Sequence, residues 1–135
     1  KNGYTPSAGK TLVTTHKKND LNITIVTLDD NDEYNNHERL AEYAFDNYSN
    51  YNIVDKNDFD LVIDDNKYYV NKSFTYPLTE KEKDNVKVLA SIDDSLKSGK
   101  VGNINITLNN RTLKKIPLYI KETKKKENFF TKLFS

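Results

Sequence analysis

The sequence predicts an α/β segment followed by a small all-β sandwich and a short amphipathic tail. Three observations carry that prediction. Two strand-like runs precede a single strong helical stripe before residue 50. From about Tyr51 onward the apolar period changes from 3.6 to 2. Past Lys121 the chain becomes lysine-rich and ends in a cluster of phenylalanines. The expected divisions are 1–50, 51–121 and 122–135.

Thr11 to Lys17 reads as a strand, and Leu21-Asn22-Ile23-Thr24-Ile25-Val26-Thr27-Leu28 as a better one. The link Lys18-Asn19-Asp20 carries the turn residues of a tight hairpin. Leu21, Ile23 and Ile25 share one face of the second strand, and Val26 and Leu28 make the other face apolar too. A sheet covered on both sides requires such a pattern.

The helix follows. His37, Leu40, Ala41, Ala44, Phe45 and Tyr48 recur at i, i+3, i+4, i+7, i+8 and i+11, an apolar stripe at the helical period. Asp30 with Glu33 three residues later predicts a capping box, and the acids Asp29, Asp30 and Asp32 suit the positive helix end. Asn50 is the expected stop.

Beyond it, alternating sets predict short strands. They are Phe59, Leu61 and Ile63; Val86, Val88, Ala90 and Ile92; Ile104, Ile106 and Leu108; and Ile116, Leu118 and Ile120. The turn signals between them are Asp64-Asp65-Asn66, Glu80 to Asn85, Lys97-Ser98-Gly99 and Asn109-Asn110. No further helix is expected, and such spacing suits a sandwich.

Composition excludes several function classes. The net charge of +1 over 135 residues gives no global field for nucleic acid. Lysine outnumbers arginine, and asparagine is abundant, which reads as the codon bias of an AT-rich bacterial genome. Cysteine is absent, so disulfides and thiolate zinc sites are excluded, and the absence fits an exported Gram-positive protein. His16 and His37 have no cysteine or paired histidine beside them, so each reads as structural and no metal site is expected. The Asn-x-Ser/Thr triplets at Asn22, Asn47, Asn71, Asn105 and Asn110 reflect the same asparagine richness.

Two motifs in the first residues are decoys. Ser7-Ala8-Gly9-Lys10 has Ser-x-x-Lys spacing, but that pair works only at the start of a buried helix, and here Pro6 precedes it and a strand follows. Gly3 to Thr11 is one residue too long for a P-loop and lacks the following helix. The acidic run from Asp29 fails as a calcium loop, since Leu40 stands where a glutamate is needed.

Other residues carry a resemblance over the whole length. Lys1-Asn2-Gly3-Tyr4-Thr5, then Gly9-Lys10-Thr11-Leu12-Val13-Thr14, a hairpin, and a helix ending Glu42-Tyr43-Ala44-Phe45 come first. Val101-Gly102-Asn103-Ile104, Ile116-Pro117-Leu118 and Asn128-Phe129-Phe130 follow in order. This resembles the back half of the serine-type D-Ala-D-Ala carboxypeptidases, the low-molecular-mass penicillin-binding proteins. The resemblance implies that residues 1–50 end a catalytic domain of β-lactamase/transpeptidase-like fold, and that the nucleophilic serine lies upstream.

In that family the lysine matching Lys1 is the catalytic cation. It supplies positive charge to the substrate's terminal carboxylate and assists proton transfer. Lys1, Asn2 and Gly3 together are the implied substrate-binding residues, with Gly3 admitting substrate backbone. Asn2 departs from the usual threonine or serine; its amide still donates a hydrogen bond, from a different position. The implied partners are peptidoglycan stem pentapeptide and β-lactams, with no cofactor and no nucleic acid. The implied location is the outer face of the bacterial cytoplasmic membrane. Lys124, Lys125, Lys126, Phe129, Phe130, Leu133 and Phe134 are the expected peripheral membrane anchor, phenylalanines at the headgroup boundary and lysines on anionic lipid. Truncation of the sheet predicts self-association or fraying of residues 1–50, through uncovered faces such as Leu21, Ile23 and Ile25.

Overall fold

The structure is a computed structural model that describes residues 1–121. The anchor positions Lys124, Lys125, Lys126, Phe129, Phe130, Leu133 and Phe134 lie outside the described residues. In chain order the elements are β1 (Asn2–Thr5), β2 (Gly9–Lys18), β3 (Leu21–Leu28), α1 (Glu33–Asn47), β4 (Ser49–Val54), β5 (Leu61–Ile63) and β6 (Asn66–Val70). There follow β7 (Phe74–Leu78), α2 (Glu80–Lys83), β8 (Val86–Ile92), β9 (Gly99–Leu108) and β10 (Arg111–Ile120). The described residues form two compact units, one of Lys1–Ile53 with Thr75–Asn85, the other of Val54–Phe74 with residues 86–121.

The first unit is built on the antiparallel sheet β1-β2-β3. β2 and β3 pair from Thr11 opposite Leu28 to Lys18 opposite Leu21, leaving Asn19-Asp20 as a two-residue loop with Asn19 at φ 53. Strand alternation puts Leu12, Thr14, Ile25 and Thr27 on one face, and α1 packs there. Leu21 and Ile25 are therefore buried rather than uncovered, which corrects the expectation for that face. The open face is the opposite one, where Val26 is 58% and Leu28 67% exposed.

α1 corrects two further expectations. No capping box forms at Asp30 and Glu33; Asp32 is the N-cap and its side chain makes no capping bond. Asp30 instead accepts hydrogen bonds from the Asp32 N–H and from Asn36 Nδ2, all at 2.8–2.9 Å. The helix ends at Asn47, three residues before the expected stop. Of the stripe, His37 and Ala41 are buried, but Leu40 is 46% exposed. β3 is the edge of its sheet, so the helix flank carrying Leu40 and Tyr43 lies along an open groove with β3 rather than over a further strand. The unit also includes a ribbon of β4 with β7. A true capping box opens α2, with Thr79 and Glu82 bonding each other's backbone, where only a turn was expected.

The second unit is the small all-β part. Its five-stranded sheet has the order β5-β6-β10-β9-β8, and each of its four strand pairs is antiparallel. The alternating sets of β9 and β10 form the centre of its core: Ile104, Ile106, Ile116 and Leu118 are at most 2% exposed. Two hairpins turn through pairs of left-handed residues without glycine, Asp64 and Asp65 (φ 48 and 64) and Asn109 and Asn110 (φ 49 and 65). Both are two-residue loops, and Asn and Asp are the side chains that tolerate this backbone best. β5 is shorter than its pattern suggested, since Phe59 lies outside it.

Gly102 reports a close approach of β8 to β9. A Cβ at that position would overlap the carbonyl oxygen of Ser91 on the paired strand. Gly102→Ala is therefore expected to lower stability by about 2 kcal/mol, with amide protection lost first along β8. An unchanged denaturation midpoint would refute the close approach.

Candidate functional site

The first three residues lie on the exposed edge strand β1 or immediately before it. The main chain of Lys1 pairs with Val13 in both directions at 2.8 Å, and Asn2 and Gly3 stand opposite Leu12 and Thr11. By strand alternation Lys1 and Gly3 share one face of the sheet, and Asn2 lies on the other, the face that α1 covers further along. The site residues are thus brought together along a strand edge, not on a single face. β1 is hydrogen-bonded only to β2, so its other edge presents free main-chain donors and acceptors among the described residues.

Gly3 has a local reason to lack a side chain. A Cβ there would sit 3.3 Å from Thr11 Oγ1, and that hydroxyl donates to the Gly3 carbonyl at 3.1 Å. The loop after β1 is tied by the Ala8 N–H donating to Thr5 Oγ1 at 3.1 Å. Gly9 then takes φ 63, and a side chain at that position would collide with the Asp29 carboxylate. Ser7 falls in this turn and Lys10 on β2, so the Ser-x-x-Lys spacing forms no helical turn.

Beneath the sheet, a polar chain that sequence reasoning left as two separate histidines joins α1 to β2 and β3. His37 is 2% exposed. Its Nδ1 lies 2.6 Å from Thr14 Oγ1 and its Nε2 2.9 Å from Thr27 Oγ1, while Thr14 Oγ1 also lies 2.8 Å from His16 Nε2. A neutral imidazole donates at one nitrogen and accepts at the other, so one threonine accepts and the other donates. The only sequence signal was His37 on the apolar stripe; its partners are 10 and 23 residues away along the chain.

Asp30 lies just before α1 and is bonded to Asn36 and the Asp32 N–H. The Asn36 amide, and after it the Asp32 backbone N–H, hold its carboxyl below the ordinary 3.8. Such a group favours the fold at pH values above the ordinary aspartate pKa, and the contribution fades as pH falls through the depressed one. No group of histidine and acidic residues among the described positions could hold a metal ion. None of the described helices is long and apolar enough to cross a membrane.

Replacing His37 by leucine leaves the half-buried Thr27 hydroxyl without its imidazole partner and leaves Thr14 only His16. It is expected to cost about 2–3 kcal/mol in urea unfolding, and Thr27→Val about 1 kcal/mol. Equal costs for the two variants would show that the imidazole bridge is not what the site depends on.

The arrangement has counterparts of known structure. The chain is similar to the D-alanyl-D-alanine carboxypeptidase DacD of Francisella tularensis, with a TM-score of 0.68 at 20% identity over 91% of this chain and 35% of that one. It is similar to penicillin binding protein 5 of Haemophilus influenzae, TM-score 0.62 at 14% identity, covering 90% of this chain and 40% of that one. It is also similar to penicillin binding protein 6B of Escherichia coli, TM-score 0.56 at 17% identity, covering 87% and 32%. The chain therefore shares their fold while spanning 32–40% of their length. No curated protein matches it by sequence. The sequence profile described as penicillin-binding protein 5, C-terminal domain, matches residues 48–126. With more than half of its length under that profile, the chain belongs to the family of the penicillin-binding protein 5 C-terminal domain.

Proposed function

We propose that the chain is the back portion of a serine-type D-Ala-D-Ala carboxypeptidase, a hydrolase that trims the terminal D-alanine from peptidoglycan stem peptides at the cell envelope. The observation that carries this reading is a conjunction. A family match over residues 48–126 is preceded by Lys1-Asn2-Gly3 on an exposed sheet edge, in a fold shared with carboxypeptidases over nine-tenths of the chain. A break near residue 50 between catalytic and C-terminal domains accords with where the profile begins.

The free edge of β1 suits a substrate laid alongside it as an added strand. The Lys1 ammonium is a compact cation with three donors and would meet the terminal carboxylate, and the Asn2 amide would add a neutral donor. Gly3 keeps the strand low enough for close approach. The acyl step itself needs an upstream serine that attacks the penultimate carbonyl, expels D-alanine and is released by water. β-Lactams would acylate that serine, and residues 1–135 alone would not turn over. The tail with Lys124, Lys125, Lys126, Phe129, Phe130, Leu133 and Phe134 would hold the enzyme peripherally on the membrane.

A second reading follows from Asn2, which replaces the hydroxyl residue of the family. A degenerate site would leave the protein as a non-catalytic spacer or interaction module. Fluorescent penicillin labelling of a longer polypeptide that includes the upstream residues separates the two. The carboxypeptidase reading expects labelling and D-alanine release, with acylation reduced about a hundredfold in Lys1→Ala. Labelling that appears only after Asn2→Thr would instead establish the spacer.

The three-stranded sheet also reads as a piece of a larger one, since β3 is an edge strand and Val26 and Leu28 are exposed beside it. Residues 1–135 alone are expected to self-associate there, and Val26→Lys to restore a monomer. A monomer by light scattering before any substitution would refute this.

A further inference from the structure

We infer that the solvent face of the five-stranded sheet in the second unit binds an anionic sugar polymer. The clearest sign is charge segregation. The chain as a whole carries 21 basic and 20 acidic residues. The strands β5, β6, β8, β9 and β10 hold six basic residues and no acidic one. The acids of this unit lie in its connections, as at Asp64-Asp65 and Asp93-Asp94.

Register decides where those cations point. Tyr119 stands opposite Tyr69 on one side and Lys100 on the other, and Lys115 stands opposite Asn105. Directly opposed residues share a face. The core face is taken by Ile104, Ile116 and Leu118, so Tyr69, Tyr119, Lys100, Lys115 and Asn103 share the solvent face. The side chains of Tyr69 and Tyr119 stack with centroids 5.4 Å apart at 23°, and Asn71 Nδ2 donates to the Tyr119 hydroxyl at 3.4 Å. Lys67 on this face is bound to Asp60 at 3.1 Å, but no described carboxylate pairs with Lys100 or Lys115.

The spacing selects the ligand. Lys100 lies one strand from Tyr119, about 5 Å, and Lys115 lies four residues along the same strand, about 13 Å. Cations that stand off the sheet at this separation meet one phosphate or carboxylate only by folding toward each other across Asn103 and Pro117. They match successive anionic groups along an extended polymer. Beside Lys100, at one end of that span, the tyrosine pair offers ring surface and two phenol hydroxyls, which suit the apolar faces and hydroxyls of sugar rings. The choice of sugar over nucleic acid rests on the envelope location proposed above.

The test is a ¹⁵N NMR titration of the intact chain with four probes: alginate oligomers carrying carboxylates, phosphomannan oligomers carrying phosphates, neutral dextran, and oligo-dT. Saturable shifts at Tyr69, Lys100, Asn103 and Tyr119 with either anionic sugar support the inference, and the tighter of the two names the anion. Lys100→Gln and Lys115→Gln should each weaken binding about fivefold, and Tyr69→Ser should weaken it further while the core amides of Ile104 and Ile106 keep their shifts. Shifts confined to the lysine-rich residues after 121, unchanged affinity in both glutamine variants, equal binding of dextran, or tighter binding of oligo-dT would each overturn it. Penicillin labelling reads upstream residues and these shifts read the sheet face, so the two proposals fail separately.

Discussion

The pairing register of β9 with β10 is the constraint on which the all-β unit depends. Ile104 opposite Ile116 and Gly102 opposite Leu118 place three nearly inaccessible apolar side chains on one face. The side-chain period of a strand is two, so a slip by one residue would expose that row and bury Lys115, Asn105 and Asn103 in its place. The asparagine turn at Asn109-Asn110 begins the register, and an irregularity between Leu118 and Tyr119 adjusts it where β10 meets β6. The core and the cationic solvent face are two consequences of one alignment.

The first unit solves a different problem. Its sheet has one face covered by a single helix and two edges left open among the described residues. A helix placed on three strands can slide, because aliphatic contacts are non-directional. His37 removes that freedom by bonding threonines on two different strands, β2 and β3. Burial of a polar ring is tolerable because both nitrogens are satisfied. β1 is held beside β2 by its own main-chain pairing, which sets the position of Lys1, Asn2 and Gly3 along the edge.

Substrate recognition at a sheet edge and polymer recognition on a sheet face use the strand differently. At β1 the useful groups are main-chain donors and acceptors, and glycine serves because it has nothing in the way. On β6, β10 and β9 the proposed recognition uses side chains instead, with Tyr119 flanked by Tyr69 on one strand and Lys100 on the other. The two proposed surfaces belong to different units and make different demands on sequence: small residues at one, and long cations with aromatic rings at the other.

Much of the architecture was legible in the residues. Alternation located β9 and β10, Asn109-Asn110 located the turn between them and Asp64-Asp65 the turn between β5 and β6, the 3.6-residue stripe located α1, and the ordered motifs pointed to the family. These are local signals, since a strand, a helix and a turn each print a short period on the chain. What the sequence left open depended on distant neighbours. Leu40 belongs to the apolar stripe yet is half exposed, because no strand among the described residues lies beyond β3 to receive it. The capping box expected at Asp30 went unformed, since that carboxylate bonds Asn36 and the Asp32 N–H, while the box at Thr79 and Glu82 passed for a turn. Leu21 and Ile25, expected to be uncovered, lie beneath α1. The stacked tyrosines come from positions 50 residues apart, and only pairing of β6 with β10 brings them together. The sequence by itself determined which segments become strands, helix and turns; the tertiary structure alone decided which faces meet water, because burial is set by what packs against a residue and not by the residue itself.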